Sequence, residues 1–293
     1  MIRHNILTND VARQNFVQGC LALKAEPLGT TRYSTYDYFA FWHHRAMNFM
    51  TPPGNSAGRN AAHAGPVFGP WHRFLLIVFE NQIRRVLNED DFRLPYWDWA
   101  ADAASPAGSP LWGPDVLGGS GNPVRSGPFR DGSGFNIRLT QDGNSDDWMD
   151  VDRPLRRGFN IFGTTVPSAT EVTNSINSFP FYERQPYNND VSSFRWDLEI
   201  PLHSTVHRFV GGDMMTTTSP NDPVFFLHHC NIDRIWARWQ STYPQALYLP
   251  RQTAPDTYRF HREDDRMHTF LDINLTPADI LDYTVYYDYD ILN

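Results

Sequence analysis

The chain has 293 residues, 41% of them hydrophobic and 14% aromatic, which is enough apolar material for a large core. Its net charge of −8 and lack of any Lys/Arg run exclude the basic stripe that neutralises nucleic-acid phosphates, and no apolar run approaches the length of a membrane span. Two distant cysteines, Cys20 and Cys230, offer neither a disulfide framework nor a thiolate zinc site. The N-terminal segment MIRHNILTND lacks the apolar stretch of a secretory signal, so the expected location is cytoplasmic, or secreted with the help of a partner.

In chain order, residues from about Val11 to Leu23 and from Tyr33 to Met50 carry helical periodicity. The loop TPPGNSAGRNAAHAGP follows, and a strong helix begins near Pro70. There His72, Leu75, Leu76, Phe79, Ile83 and Val86 fall on one stripe, which turns His72 toward the core. From Ala101 to about Asp190 the chain is dense in Gly, Pro, Ser, Asn and Asp, which predicts long loops with short strands or turns. A short helix is expected over Leu202 to Val210. A longer one is expected from Asp222 to Ser241, entered through Ser219-Pro220-Asn221-Asp222-Pro223. The pattern predicts a mainly α fold: a four-helix bundle with long irregular loops and a few short strands. It is read as a single domain over 1–293, with histidine-bearing halves at about 30–100 and 195–245 around an insert at about 101–190.

Eight of the eleven histidines lie in two groups: His43, His44, His63 and His72, then His203, His207, His228 and His229. His203 and His207 are four apart on a helical segment, so both rings share one face. Neighbours on a helix point about 100° apart, which separates the two adjacent pairs. His43 falls with Tyr36, Phe39, Ala40 and Met47 on the apolar face, whereas His44 falls with Asp37, Phe41 and Asn48. His229 shares the inward stripe of Phe225, Ile232, Trp236 and Trp239, which leaves His228 a supporting or packing position.

A single buried histidine is usually a hydrogen-bonded core residue. Five on inward faces would bury many polar groups with few carboxylates to pair them, and metal binding accounts for the set. Imidazole suits zinc, copper, iron and nickel, whereas magnesium and calcium want oxygen ligands. The Glu-x-x-His motif of di-iron bundles and the HExxH motif of zinc proteases are both absent. Two all-histidine sites facing each other favour a copper pair.

The stretches RNAAH, GPWHRFLLIVFE, LPYWDWAAD, LHSTVHRFVGG and SPNDPVFFLHHCNIDRIWARWQ resemble the bacterial tyrosinases and related polyphenol oxidases, over about Arg3 to Gln240. The resemblance implies a type 3 centre of two copper ions, the first held by His43, His63 and His72 and the second by His203, His207 and His229. It also implies O2 as co-substrate and a small phenolic substrate. The implied reaction oxidises o-diphenols or o-aminophenols to o-quinones or quinone imines, with monophenol hydroxylation as the further, tyrosinase activity of the family. Phe68, Trp71, Phe225 and Phe226 are candidates for an apolar cage around the metals.

Glu199 resembles the glutamate that relatives use to orient a water and help deprotonate a phenol. Ser204, Arg208, Met215 and Thr218 occupy positions that flank the entrance and bear on substrate choice. Ser204 stands where strongly hydroxylating bacterial relatives tend to have Asn, which predicts weaker action on monophenols than on diphenols. Ala61 stands where other relatives carry a crosslinked Cys, so no thioether is expected. Tyr287-Asp288-Tyr289 resembles the tyrosine motif that closes the family's core. A copper-delivery helper protein is a partner of some bacterial relatives. Two other readings remain open at this point: a haemocyanin-like protein that binds O2 reversibly, and a zinc-loaded or non-catalytic histidine-rich protein.

Overall fold

The computed structural model describes residues 1–143 and 147–292. Strand β1 (Ile2–Arg3) leads into helix α1 (Asp10–Ala25), which Asn9 caps by accepting the Ala12 N–H. Helix α2 (Thr35–Met47) opens with a reciprocal capping box between Ser34 and Asp37. Helix α3 (Phe68–Leu87) ends at Asn88, whose φ of 54° is the left-handed turn that stops a helix. α3 packs on α1, and Gly19 permits the close approach: a Cβ there would lie 2.6 Å from Ile83 Cγ2.

The middle segment is irregular, as its composition predicts, but less so than expected. It holds an antiparallel hairpin of β2 (Ile137–Gln141) and β3 (Trp148–Arg153), then a helix, α4 (Ala169–Ser178), that the periodicity does not reveal. A capping box between Ser168 and Glu171 starts α4, so the local signal is present in a stretch dominated by turn residues. The next helical region also starts earlier than expected. α5 (Phe194–Asp197) runs into a π-helical turn (Leu198–Ser204) and then α6 (Thr205–Val210). Pro201 lies inside that turn; it has no N–H to give to an α ladder, and the widened turn accommodates it. Helix α7 (Val224–Thr242) packs on α3, and α8 (Pro277–Ile280) precedes strand β4 (Asp288–Tyr289), which pairs in parallel with β1.

Buried apolar residues from Ile6 to Tyr289 form one connected core around α2, α3 and α7. Behind α7 lies a buried ionic cluster. Asp233 accepts from Arg73 Nε at 2.6 Å, from Tyr289 Oη at 2.6 Å, from Arg3 Nη1 at 3.4 Å and from Tyr287 Oη. Arg3 also donates to Glu80 at 3.0 Å and stacks 3.4 Å from the Tyr287 ring. Burial opposes charge on Asp233, but the two guanidiniums and two phenols prevail and hold its pKa below the usual carboxylate range. The cluster ties both ends of the described chain to the helix that carries His229. Replacing Asp233 by Asn should remove about 3–5 kcal/mol of stability, since it strips a counter-charge from two buried arginines. Urea unfolding checks this, and a loss under about 1 kcal/mol would show the cluster to be dispensable.

Candidate metal centre

Five elements and one loop bring the histidines together: α2 carries His43, the 48–67 loop His63, α3 His72, the π turn His203, α6 His207, and α7 His228 and His229. One ligand atom from each of His43, His63 and His72 lies within 4.8 Å of the others, and the same holds for His203, His207, His228 and His229. The His63 ring centroid is 5.2 Å from His43 and 4.7 Å from His72. The groups adjoin, with the His72 and His229 rings stacked at 4.5 Å and 18°.

Main-chain carbonyls set the tautomers. His43 Nδ1 donates to Thr217 O (2.7 Å), His72 Nδ1 to Phe68 O (2.8 Å), His203 Nδ1 to Glu199 O (3.0 Å) and His207 Nδ1 to Met214 O (2.7 Å). A carbonyl can only accept, so each ring carries its proton on Nδ1 and turns a bare Nε2 lone pair inward. His43 Nε2 and His72 Nε2 are buried with no protein partner. Leaving such atoms unpaired is expensive unless a cation satisfies them.

His229 Nε2 lies 3.2 Å from His203 Nε2 and 3.4 Å from His207 Nε2. Metal–imidazole bonds of about 2.0–2.1 Å in tetrahedral array put neighbouring nitrogens about 3.3 Å apart, the spacing seen here. Burial drives every one of these rings toward the neutral form, His43 to about 3 and His207 to about 4, with the Nδ1–carbonyl bonds opposing weakly. Burial and mutual repulsion push His63, His72, His203 and His229 well below their usual range. Neutral, unprotonated imidazole is the metal-binding form, so the residues fit two borderline metal ions such as copper.

Both members of each adjacent pair are buried. His44, expected off the apolar face, is buried too, because the β2–β3 hairpin and the 216–219 turn cover that side; its Nδ1 meets Thr217 Oγ1 at 2.7 Å. His228 is buried and stacks on His203 at 5.2 Å and 19° with neither ring nitrogen hydrogen-bonded. Of the cage candidates, Phe225 sits 4.0 Å from the His229 ring, Phe68 4.9 Å from His72 and Trp71 5.1 Å from His72. Phe226 instead stacks on Phe79 at 3.5 Å, one layer further out.

A cavity of about 460 Å³ opens over His43, His63, His203 and His207 and is also lined by Glu199, Ser204, Arg208 and Met215. Glu199 is 3% exposed rather than solvated at a helix start. Its Oε1 accepts the Ala64 N–H (2.8 Å) beside His63, and its Oε2 accepts Arg195 Nη1 (2.9 Å). Burial pushes the Glu199 pKa up, while Arg195 and the Ala64 N–H pull it down, and the upward push wins. Ser204 Oγ donates to the Glu199 carbonyl at 2.9 Å. Met215 is 42% exposed at the rim, and Arg208 is exposed beside it. Thr218 departs from the expectation. It is fully buried away from the cavity, where its hydroxyl accepts the Gln141 N–H at 3.3 Å and meets Thr216 Oγ1 at 2.8 Å, so it braces the hairpin. Sequence reading missed Gln141, Asn189 and Arg195, which the fold brings to this site from loop-rich segments or a short helix without a usable period.

The family described as "Tyrosinase: Common central domain of tyrosinase" matches residues 33–242. The tyrosinase of Streptomyces glaucescens is 37% identical over 97% of this chain and 96% of its own length. Among solved structures, a copper-bound mutant of the active tyrosinase of Aspergillus oryzae superposes with a TM-score of 0.61 at 18% identity, covering 99% of this chain and 92% of that one. A functional unit of octopus haemocyanin gives a TM-score of 0.61 at 21% identity, over all of this chain and 69% of that one, a likeness of fold alone. The matched family, the relative at 37% identity and the paired histidine groups agree, and the chain belongs to the tyrosinase family, as an oxidoreductase with a dinuclear copper centre that uses O2.

Proposed function

We propose that His43, His63 and His72 hold one copper and His203, His207 and His229 the other, in a catalytic domain that oxidises o-diphenols or o-aminophenols. The observation that carries this reading is the set of four Nδ1–H bonds to main-chain carbonyls, which aims Nε2 lone pairs into one buried space. His229 is preferred over His228 because its Nε2 has the ligand-to-ligand spacing to both His203 and His207. Bound copper supplies the transfer of two electrons from the phenol to O2.

The chain's own residues do the rest. Phe68, Trp71 and Phe225 keep water from the imidazoles. Glu199, at the cavity wall with its carboxyl pushed up by burial, is placed to take the proton that leaves a phenol hydroxyl. The Ser204 hydroxyl is committed to the Glu199 carbonyl, so it gives no donor to a water beside that carboxylate. This favours diphenols, which release protons more readily, over monophenols. Met215 and Arg208 border the ring-binding space.

A copper-delivery helper belongs to the same proposal, because His72 and His229 are buried and an incoming ion must pass the cavity mouth. A cytoplasmic location, or export with a partner, is the compartment proposed; Cys20 and Cys230 are both unpaired thiols, and no described helix is long and apolar enough to cross a membrane.

Copper-loaded protein should oxidise catechol much faster than phenol, and Ser204→Asn should raise the phenol-to-catechol rate ratio by about tenfold. Initial O2 uptake measures this, and equal wild-type rates would remove the diphenol preference.

Acid should destabilise the metal-free protein. Unfolded imidazoles bind protons below about 6.5, whereas the buried ones stay neutral down to about 3 for His43 and about 4 for His207. The unfolded state therefore binds more protons, and stability present above about 6.5 is lost as the pH falls toward those values. Glu183 and Glu199, both pushed up by burial, act in the opposite sense but are outnumbered. The urea midpoint should be lower at pH 5 than at pH 7.5, and identical midpoints would contradict this.

A further inference from the structure

Lysine is ordinarily among the commonest residues of a globular chain, yet of the 25 basic side chains here only Lys24 is a lysine, and the rest are arginines. That one amine is withheld from solution. Lys24 Nζ pairs with Asp37, the two side chains being 5% and 1% exposed, and lies 5.1 Å from the Phe135 ring and 5.6 Å from the Tyr36 ring. Burial lowers its pKa, with Asp37 pulling the other way, so packing rather than charge keeps it out of reach. The chain's two thiols are withheld as well. Cys20 and Cys230 are both fully buried, and Cys230, next in sequence to His229, donates to the Leu94 carbonyl at 3.4 Å. Outside the two histidine groups, His261 is buried, His268 packs 4.4 Å from the Phe49 ring and 4.7 Å from the Phe260 ring, and His4 Nδ1 donates to Asp290 at 3.3 Å.

What faces solvent instead is guanidinium. Arg32, Arg85, Arg125 and Arg266 have side chains 45%, 49%, 75% and 51% exposed. Addition to an electrophile needs a free lone pair, and at a given pH an arginine offers about a hundred- to a thousandfold less free base than an exposed lysine. The difference matters to a phenol oxidase, because an o-quinone is an electrophile. An amine or thiol adds at a ring carbon: the C–N or C–S bond forms, the N–H or S–H proton and the displaced ring hydrogen pass to the two oxygens, and the ring returns to a catechol. No outside oxidant is needed. A second quinone then takes two electrons and two protons from that catechol and becomes a catechol itself; the reoxidised adduct adds another amine and joins two chains.

We infer that the fold shields this chain from its own product: its side-chain amine and thiols are all buried and its surface cations are arginines, so o-quinone leaves without alkylating or cross-linking the protein that made it. This rests on the phenol-oxidase reading for the source of the quinone. It adds that the outer surface, and not the metal centre alone, is matched to the reaction.

The quadruple variant Arg32→Lys, Arg85→Lys, Arg125→Lys, Arg266→Lys keeps the charge, and none of the four lines the cavity. Copper-loaded wild type and variant are each given 4-methylcatechol until it is consumed. Zinc-substituted samples of both are given chemically prepared 4-methyl-o-quinone, which tests exposure without turnover. Peptide mapping should find adducts at the four new lysines and raise the yield of side-chain adducts at least about tenfold over wild type, with the terminal amine common to both. Covalent dimers should appear on a denaturing gel in the variant alone. Wild type opened in urea should take up quinone at Lys24, Cys20 and Cys230, because burial is what protects them.

A variant no more modified than wild type, a folded wild type modified at Lys24, Cys20, Cys230 or its histidines as heavily as the variant is at its lysines, or a urea-opened wild type that stays unmodified would overturn the inference. Failure of the copper-loaded protein to oxidise 4-methylcatechol, with the zinc-substituted samples behaving as described, would instead defeat the oxidase reading.

Discussion

Four imidazole protons held by four backbone carbonyls are the constraint on which the rest of the site depends. A histidine free to choose its tautomer would pair its two nitrogens with whatever lay nearest. Here Thr217, Phe68, Glu199 and Met214 remove that choice, and each ring has one nitrogen left with a lone pair directed inward. The carbonyls come from three kinds of local structure: a helix's first turn for Phe68, a π turn for Glu199, and the 212–217 turn segment for Met214 and Thr217. A shift in any of them would rotate a ligand, which explains why so much of the fold is devoted to holding short segments in place.

That holding is visible in what surrounds the rings. Glu199 reaches both halves of the site, since its carbonyl orients His203 and its carboxylate pins Ala64 next to His63. Arg195 in turn fixes Glu199, Glu183 and Asn189. On the far side of α7, Asp233 lies one turn beyond His229 and gathers Arg3, Arg73, Tyr287 and Tyr289. The inward Nε2 atoms of His43 and His72, by contrast, meet no protein partner. A site made this way holds its imidazoles neutral and preorganised before any ion arrives.

Much of this is legible in the sequence because helices advertise their buried faces. His72 sits on a clear apolar stripe, whereas α7 is buried on all sides around His228 and His229, and both lie in the same histidine group. The same argument is incomplete for His44, since a helix covered on both sides buries both of its faces and periodicity then stops discriminating. Loops reveal less. Thr218 lies next to residues that line the cavity, and only the backbone path turns its hydroxyl into the hairpin instead. Gln141 and Asn189 carry no period at all, and only the fold brings them to the cavity. Helix α4 shows the opposite failure: its cap is readable, but the surrounding turn residues outweigh it.

The measurement that bears most directly on the account is a crystal structure of copper-loaded protein with anomalous data collected at the copper edge. Two strong peaks are expected, one among the Nε2 atoms of His43, His63 and His72 and the other among those of His203, His207 and His229, with His228 outside coordination distance. A single peak, or a second ion bound by His228 in place of His229, would contradict the claim that carbonyl-oriented imidazoles from the two halves of the chain form two matching sites.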